Sequence, residues 1–281
     1  MRRALVLAGG GVAAIAWELG VLLGVRDEAP RLDPDLLAAD VIVGTSAGST
    51  VAAQITSGVD LAALYDRQHS ETSSEVAVDV DVTELFARFA SATAEANSAP
   101  EARRRIGALA LATPTIDEPV RRAAIAGQLP SHVWPDRPVL VPAVDAETGD
   151  VAFFTRESGV DLVDAVTASC AVPGVWPPAT INGRRYVDGS VRSGSNADLA
   201  AGCDRVLVLT PTLPDAPQLR GSLSAEIERL NPAQVLVLYA DEPSLTAFGT
   251  NPLSPATRRP AARAGRAVGR DYAAEVTRFW A

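Results

Sequence analysis

The chain has 281 residues, of which 47% are hydrophobic and 21% charged, enough apolar material for one large core and too much for a largely disordered polymer. Its 25 basic and 34 acidic side chains leave a net charge of −9, which argues against nucleic acid and against steady electrostatic attachment to an anionic membrane. Every basic residue is arginine, so neither a lysine Schiff base nor a lysine general base is available.

Ala4–Ala8 reads as a short buried strand, Gly9-Gly10-Gly11 as a loop, and Val12–Val25 as a helix with Ile15, Leu19, Leu22 and Leu23 on one buried face. Asp27–Asp40, with Pro30 and Pro34, is a connection. A second strand is expected over Val41–Val43 and a helix over Ala47–Thr56, closed by Gly58; Asp60 caps a further helix running to His69. From Ser70 to Gln128 no strand signal survives. Leu85, Phe86 and Phe89 share one helical face, and Ile106, Leu109 and Leu111 begin another after a break at Asn97–Pro100. This helical insertion is either a lid over the site or a set of packing helices, and the sequence leaves both open.

Strands return as hairpins, Pro138–Val144 with Val151–Thr155, and Ala179–Ile181 with Arg184–Val187 around Asn182-Gly183. A helix over Val160–Ser169 stands between them. Arg205–Thr210 and Gln234–Ala240 are apolar runs of the parallel-sheet type, separated by a helix around Leu219–Leu230, and Pro255–Trp280 is mostly helical. Alternating strands and helices imply a single α/β domain over residues 1–281, with a mainly parallel sheet covered on both faces. Ligands bind such sheets outside the carboxyl ends of the strands, which brings Gly9–Gly11, Ser46 and Asp188 to one edge.

Chemistry concentrates at Gly44-Thr45-Ser46-Ala47-Gly48. A strand that stops at a glycine, followed by a helix, leaves the serine at the bend with its hydroxyl free and a helix N-terminus facing it. Gly-x-Ser-x-Gly alone also arises by chance in a chain with 21 glycines. A nucleophilic serine needs a base, and His69 and His132, the only histidines, both precede Asp188 and sit in a helix end and a Pro-rich loop. Asp188, at a strand end before Gly189, is the best placed carboxylate, provided that burial and a tight serine contact raise its pKa from about 3.9. The amides of Gly10 and Gly11 would hold the oxyanion. Gly9-x-Gly11-x-x-Ala14 also fits a dinucleotide fingerprint, but the second strand ends in Gly44-Thr45-Ser46 rather than in an acid, and Glu28 falls at the end of the first helix.

Three ordered motifs, Gly9-Gly10-Gly11, Gly44-Thr45-Ser46-Ala47-Gly48 and Asp188-Gly189-Ser190, together with the block Ala168–Pro178, resemble the patatin-like phospholipases over about residues 4–201. The resemblance implies a three-layer α/β/α sandwich with an insertion at about 70–128 and an extension at 202–281. It implies hydrolysis of acyl esters in lipids by a Ser46–Asp188 dyad, an oxyanion hole at Gly9, Gly10 and Gly11, and transient contact with membranes or micelles. Ala13 stands where the family often has Arg, Lys or Gly, and Ser190 replaces the usual small residue of the third motif. A lipid-binding or regulatory protein that keeps this fold without turnover is the alternative. No metal or cofactor is expected. Cys170 and Cys203 read as buried free thiols. No apolar run is long enough to span a bilayer and Met1-Arg2-Arg3 leads into no secretory h-region, so a soluble cytoplasmic protein is expected.

Overall fold

Apolar β-branched runs bounded by glycine turns form strands buried on both faces, and here they make one sheet. A computed structural model describes residues 1–32, 36–214 and 222–281. Pro34, and the start of the helix expected from Leu219, lie outside the described residues. The strands are β1 (Arg3–Leu7), β2 (Val41–Gly44), β3 (Val139–Asp145), β4 (Val151–Phe154), β5 (Ala179–Ile181), β6 (Arg184–Asp188), β7 (Arg205–Thr210) and β8 (Gln234–Tyr239). Their order is β5-β6-β3-β2-β1-β7-β8, with β4 also paired to β3. The strands from β3 through β2, β1 and β7 to β8 are parallel, whereas β4, β5 and β6 add antiparallel pairings.

Alternation along each strand sends side chains to two cores. Leu5, Leu7, Ile42, Leu207 and Leu209 join α1 (Gly11–Glu28), α2 (Ala47–Ile55), α3 (Leu61–Arg67) and the C-terminal helix on one face. Ala4, Val6, Val43, Val206 and Val208 meet Ala197, Ala200, Leu223 and Leu230 on the other. The sheet is therefore the middle layer of an α/β fold.

The insertion contains α4 (Val82–Thr93), α5 (Ala99–Ala112) and α6 (Glu118–Gln128). Asp81 and Ser98 cap the first two, each accepting from the amide three residues on. Leu85, Phe89, Ile106 and Ala110 pack on Val144 and Val187 of the sheet, and Ile125 packs against α7 (Leu162–Ser169). The expected faces are narrower than read. Phe86 is 50% exposed and meets Phe89 only edge-on, and Leu111 is 41% exposed. The remaining helices are α8 (Leu223–Arg229), α9 (Glu242–Phe248) and α10 (Arg258–Trp280).

Helix α1 departs furthest from its reading, for Val12 to Val25 is buried on every side rather than along one stripe. The cause is α10, whose glycines let the two backbones touch. A Cβ on Gly20 would stand 2.3 Å from the carbonyl oxygen of Ala262, and one on Gly24 2.2 Å from that of Arg266. From the other side, Cβ atoms on Gly265 and Gly269 would stand 2.1 Å from the carbonyls of Trp17 and Val21. Arg266 and Arg270 fasten the end of the pair by both reaching Asp27, and the Arg266 guanidinium holds the Asp27 carboxyl below its usual range. Glycine to alanine in a helix interior normally stabilises by about 1 kcal/mol. Here the added methyl meets rigid backbone, so Gly269→Ala is expected to lower the unfolding free energy by about 2 kcal/mol or more, read from urea denaturation. A stabilised variant would contradict the close-contact account.

Candidate active site

At the end of β2 the chain turns so sharply that Ser46 takes φ 51° and ψ −118° before α2 begins. A Cβ on Gly48 would lie 2.0 Å from the carbonyl oxygen of Leu7, and one on Gly44 2.5 Å from that of Gly48. Only glycine fits at either position. The Ser46 backbone is held on both sides. Its amide donates to Ser169 Oγ at 3.0 Å, and its carbonyl accepts from Ser49 Oγ at 2.6 Å and Cys170 Sγ at 3.2 Å.

Asp188 comes to this point by a different route from the one expected. It does not follow a parallel strand, because β6 runs antiparallel to β3. Strand β3 pairs with β2 only at its start, Val43 against Leu140, and then overruns it. Carrying that register three residues further puts Ala143 level with Ser46, and Ala143 is the partner of Asp188. Strand β6 thus enters from beyond the sheet edge and ends at the elbow. Ser46 Oγ donates to Asp188 Oδ2 at 2.7 Å, and the Ser190 amide donates to Oδ1 at 2.8 Å. Asp188 is fully buried, and burial pushes its carboxyl up to about 6. The hydrogen bonds from Ser190 and Ser46 pull the other way. The expectation that a tight serine contact would raise the value is therefore corrected: burial alone raises it.

The glycine loop lies beside the elbow, since a Cβ on Gly9 would come within 3.2 Å of Ser46 Cβ. Gly9 itself donates its amide to the Gly194 carbonyl at 2.8 Å, so it is withdrawn from the expected set of oxyanion donors. Among the described residues, the amides of Gly10, Gly11 and Ala47 have no hydrogen-bond partner. Gly11, at φ 71°, lines the small cavity over the serine.

Sequence reasoning missed the polar scaffold beneath. Asn196 Nδ2 donates to Thr45 Oγ1 at 3.0 Å and to the Ser193 carbonyl at 2.8 Å, with a longer contact to Gly189 O. It ties the elbow to the loop that carries Asp188, and only its Ser/Asn-rich surroundings hinted at this in the sequence. Arg121, Glu75, Cys170 and Trp176 were also missed as lining of the cavity, about 20 Å³ in volume, above Ser46. Cys170 and Cys203 are both free and buried, and burial pushes the Cys170 thiol up to about 11. Neither histidine lines that cavity: His69 packs on Tyr65, and His132 faces the Ala126 carbonyl. Glu28 is an exposed residue at the end of α1, with no acid replacing it after β2.

The sequence model described as Patatin-like phospholipase matches residues 5–201. The chain belongs to the patatin-like phospholipase family. Members of that family act on lipid substrates as acyl hydrolases, and this patatin-like chain adds β7, α8, β8, α9 and α10 beyond the matched span. No curated protein sequence matches it. Among solved structures it is similar to VipD from Legionella pneumophila, at 12% identity and a TM-score of 0.48, covering 98% of this chain and 67% of that one. It is also similar to the type III effector protein ExoU, at 16% identity and a TM-score of 0.43, covering 97% of this chain and 52% of that one. Among the described residues, no helix is long and apolar enough to cross a membrane, and no group of three or more His, Cys, Asp or Glu could hold a metal ion.

Asn196→Ala would remove the donor to the buried Ser193 carbonyl and leave the Thr45 hydroxyl only its own bond to the Ser195 carbonyl. A loss of about 2 kcal/mol or more in unfolding free energy is expected by urea titration. A neutral result would show that these groups find other partners.

Proposed function

We propose that this patatin-like protein is a serine acyl-ester hydrolase in which Ser46 is the nucleophile and Asp188 its general base. The observation that carries the reading is the 2.7 Å hydrogen bond from Ser46 Oγ to a fully buried carboxylate. An ordinary aspartate is a weak base, but one raised to about 6 takes a proton more readily while remaining ionised at neutral pH.

In this mechanism Ser46 Oγ attacks the ester carbonyl carbon as its proton passes to Asp188 Oδ2. Negative charge grows on the carbonyl oxygen, where the free amides of Gly10, Gly11 and Ala47 are candidate donors. Collapse of the tetrahedral intermediate expels the alcohol, which takes the proton from Asp188, and leaves an acyl ester on Ser46. Water then attacks the acyl carbon, Asp188 takes a proton from it, and the carboxylic acid departs as Ser46 regains its hydrogen. Lipid esters are the substrate class expected of the family, with transient contact at a membrane or micelle surface.

Ser46→Ala is expected to abolish both turnover and labelling by a fluorophosphonate probe. Wild-type protein that takes up no probe and hydrolyses no acyl ester of any chain length would overturn the proposal and favour a lipid-binding protein without turnover.

Asp188→Asn separates chemistry from stability. The carboxyl's folded pKa, about 6, lies above its unfolded value of about 3.9, so protonation favours the folded state. That contribution is complete below the unfolded pKa and is lost as the pH rises through the folded one. The neutral amide introduced by Asp188→Asn mimics the protonated acid at every pH. The variant is expected to lose at least about 10³-fold in kcat/KM yet to be more stable than wild type by about 2 kcal/mol at pH 8, the difference vanishing near pH 4. Wild-type kcat/KM should rise with pH and level off above about 6. A flat profile from pH 5 to 8 would exclude Asp188 as the base.

A further inference from the structure

Between α3 and α4 the chain runs as an extended strap, and from it Glu75 reaches inward until its side chain is 7% exposed. Glu75 Oε2 lies 3.6 Å from Nη1 of Arg121 on α6, an ion pair too long to be a hydrogen bond. Arg121 is equally buried. Its Nε and Nη1 have no hydrogen-bond partner, and its guanidinium carbon lies over the Trp176 ring, 4.0 Å from the centroid. A guanidinium offers five donors, and leaving them unused inside a protein is costly. Both Arg121 and Glu75 line the 20 Å³ cavity over Ser46, and the Arg121 charge reaches Asp188, where it favours the carboxylate.

That cavity holds about one water and no ester. Behind Glu75 lies a second cavity of about 410 Å³, and Val12, Ile15, Glu75 and Gln128 form the wall between the two. Withdrawing Glu75 would therefore do two things together: join the cavities and deprive buried Arg121 of its ion-pair partner, leaving it only the more distant charge of Asp188. A neutral ester entering there would leave the guanidinium unpaired. An ester carrying its own anion would replace one carboxylate by another negative group, and that group could use the free Nε and Nη1.

We propose that Arg121 is an anion subsite beside the nucleophile, selecting acyl esters that carry a phosphate or carboxylate, and that Glu75 occupies it until such a substrate arrives. The proposal rests on the hydrolase reading above for its turnover, though not for its binding. The strap could release the Glu75 side chain without leaving the fold. Its ends are tied down, Arg258 donating to the Ser70 carbonyl at 3.2 Å and Asn251 to the Val78 carbonyl at 2.8 Å, whereas the Glu75 carboxylate is held by the long pair with Arg121 and by the charge of Arg258, and its amide by Ser73 Oγ.

The test compares matched esters on wild type, Arg121→Gln and Glu75→Gln: 1-oleoylglycerol against 1-oleoylglycerol 3-phosphate, and 4-nitrophenyl butyrate against 4-nitrophenyl hydrogen glutarate. Wild type is expected to favour the anionic member of at least one pair tenfold or more in kcat/KM, and the pair concerned tells phosphate from carboxylate. Arg121→Gln should cut that ratio at least tenfold, and Glu75→Gln should raise it through a lower KM for the anion. Ratios that neither variant moves would overturn the proposal. If Arg121→Gln fails to fold, Arg121→Lys, which keeps the charge and loses the fork, and Glu75→Gln still decide it. Calorimetric titration of Ser46→Ala with the two oleoyl compounds separates this proposal from the hydrolase reading. Tighter binding of the phosphate, lost when Arg121→Gln is added, supports the subsite even where no ester is turned over; equal binding of the two compounds overturns it.

Discussion

A serine does not settle unaided at φ 51° and ψ −118°. Holding one there costs about 1–3 kcal/mol, and the conformation persists only because its surroundings over-determine it. The amide of Ser46 is fixed from α7 through Ser169, its carbonyl from α2 through Ser49 and from Cys170, and the following turn is pressed against β1 where Gly48 donates to Ala8. Three elements thus converge on one turn. Their rigidity is transferred to the hydroxyl, whose remaining freedom is a rotation that the Asp188 carboxylate ends at 2.7 Å.

The carboxylate carries an opposite demand. Burial that makes Asp188 a better proton acceptor also makes its charged form unfavourable in the folded state. Backbone contacts on two sides meet that demand, since the Asp188 amide is bonded to the Ala171 carbonyl and a Cβ on Gly189 would stand 2.4 Å from the Pro142 carbonyl. The backbone cannot retreat to carry the acid out into bulk solvent. Stability is surrendered locally at a base and recovered in the large apolar cores on either side of the sheet.

Local signals made much of this legible. Short continuous apolar runs and glycine turns announced the strands, and Gly44-Thr45-Ser46-Ala47-Gly48 and Asp188-Gly189 announced the two ends of the hydrogen bond. What stayed hidden was set by tertiary neighbours. The antiparallel direction of β6 is a property of pairing, and the sequence of Arg184–Asp188 reads the same in either direction of travel. Gly20, Gly24, Gly265 and Gly269 carry meaning only as two pairs on helices more than two hundred residues apart. Arg121 and Arg122 are adjacent in an Ala-rich helix, yet one is buried against Trp176 and the other pairs with Asp164 at the surface. Nothing in their order distinguishes them, because the distinction is made by what α6 packs on.

The same limit explains why the three motifs do not mark out everything the site contains. The C-terminal segment lies beyond the span of the family match, yet the glycine loop leans on it. The Pro252 carbonyl accepts the Ala13 amide at 2.9 Å, the β7 residue Leu209 accepts that of Ala8 at 3.1 Å, and Leu253 lines the cavity over Ser46. Gly11 has no room for a side chain for this reason, since a Cβ there would lie 2.8 Å from Leu253 and 3.0 Å from the Pro252 carbonyl. Asn251 reaches across from the same segment to the strap that carries Glu75. Residues 251–253 therefore join the glycine loop, the cavity wall and the strap, and α10 holds them in place by closing on α1, backbone against backbone. The helix pair thereby braces the loop that carries the free amides of Gly10 and Gly11, so the packing of the last helix and the chemistry proposed for the first loop are parts of one constraint.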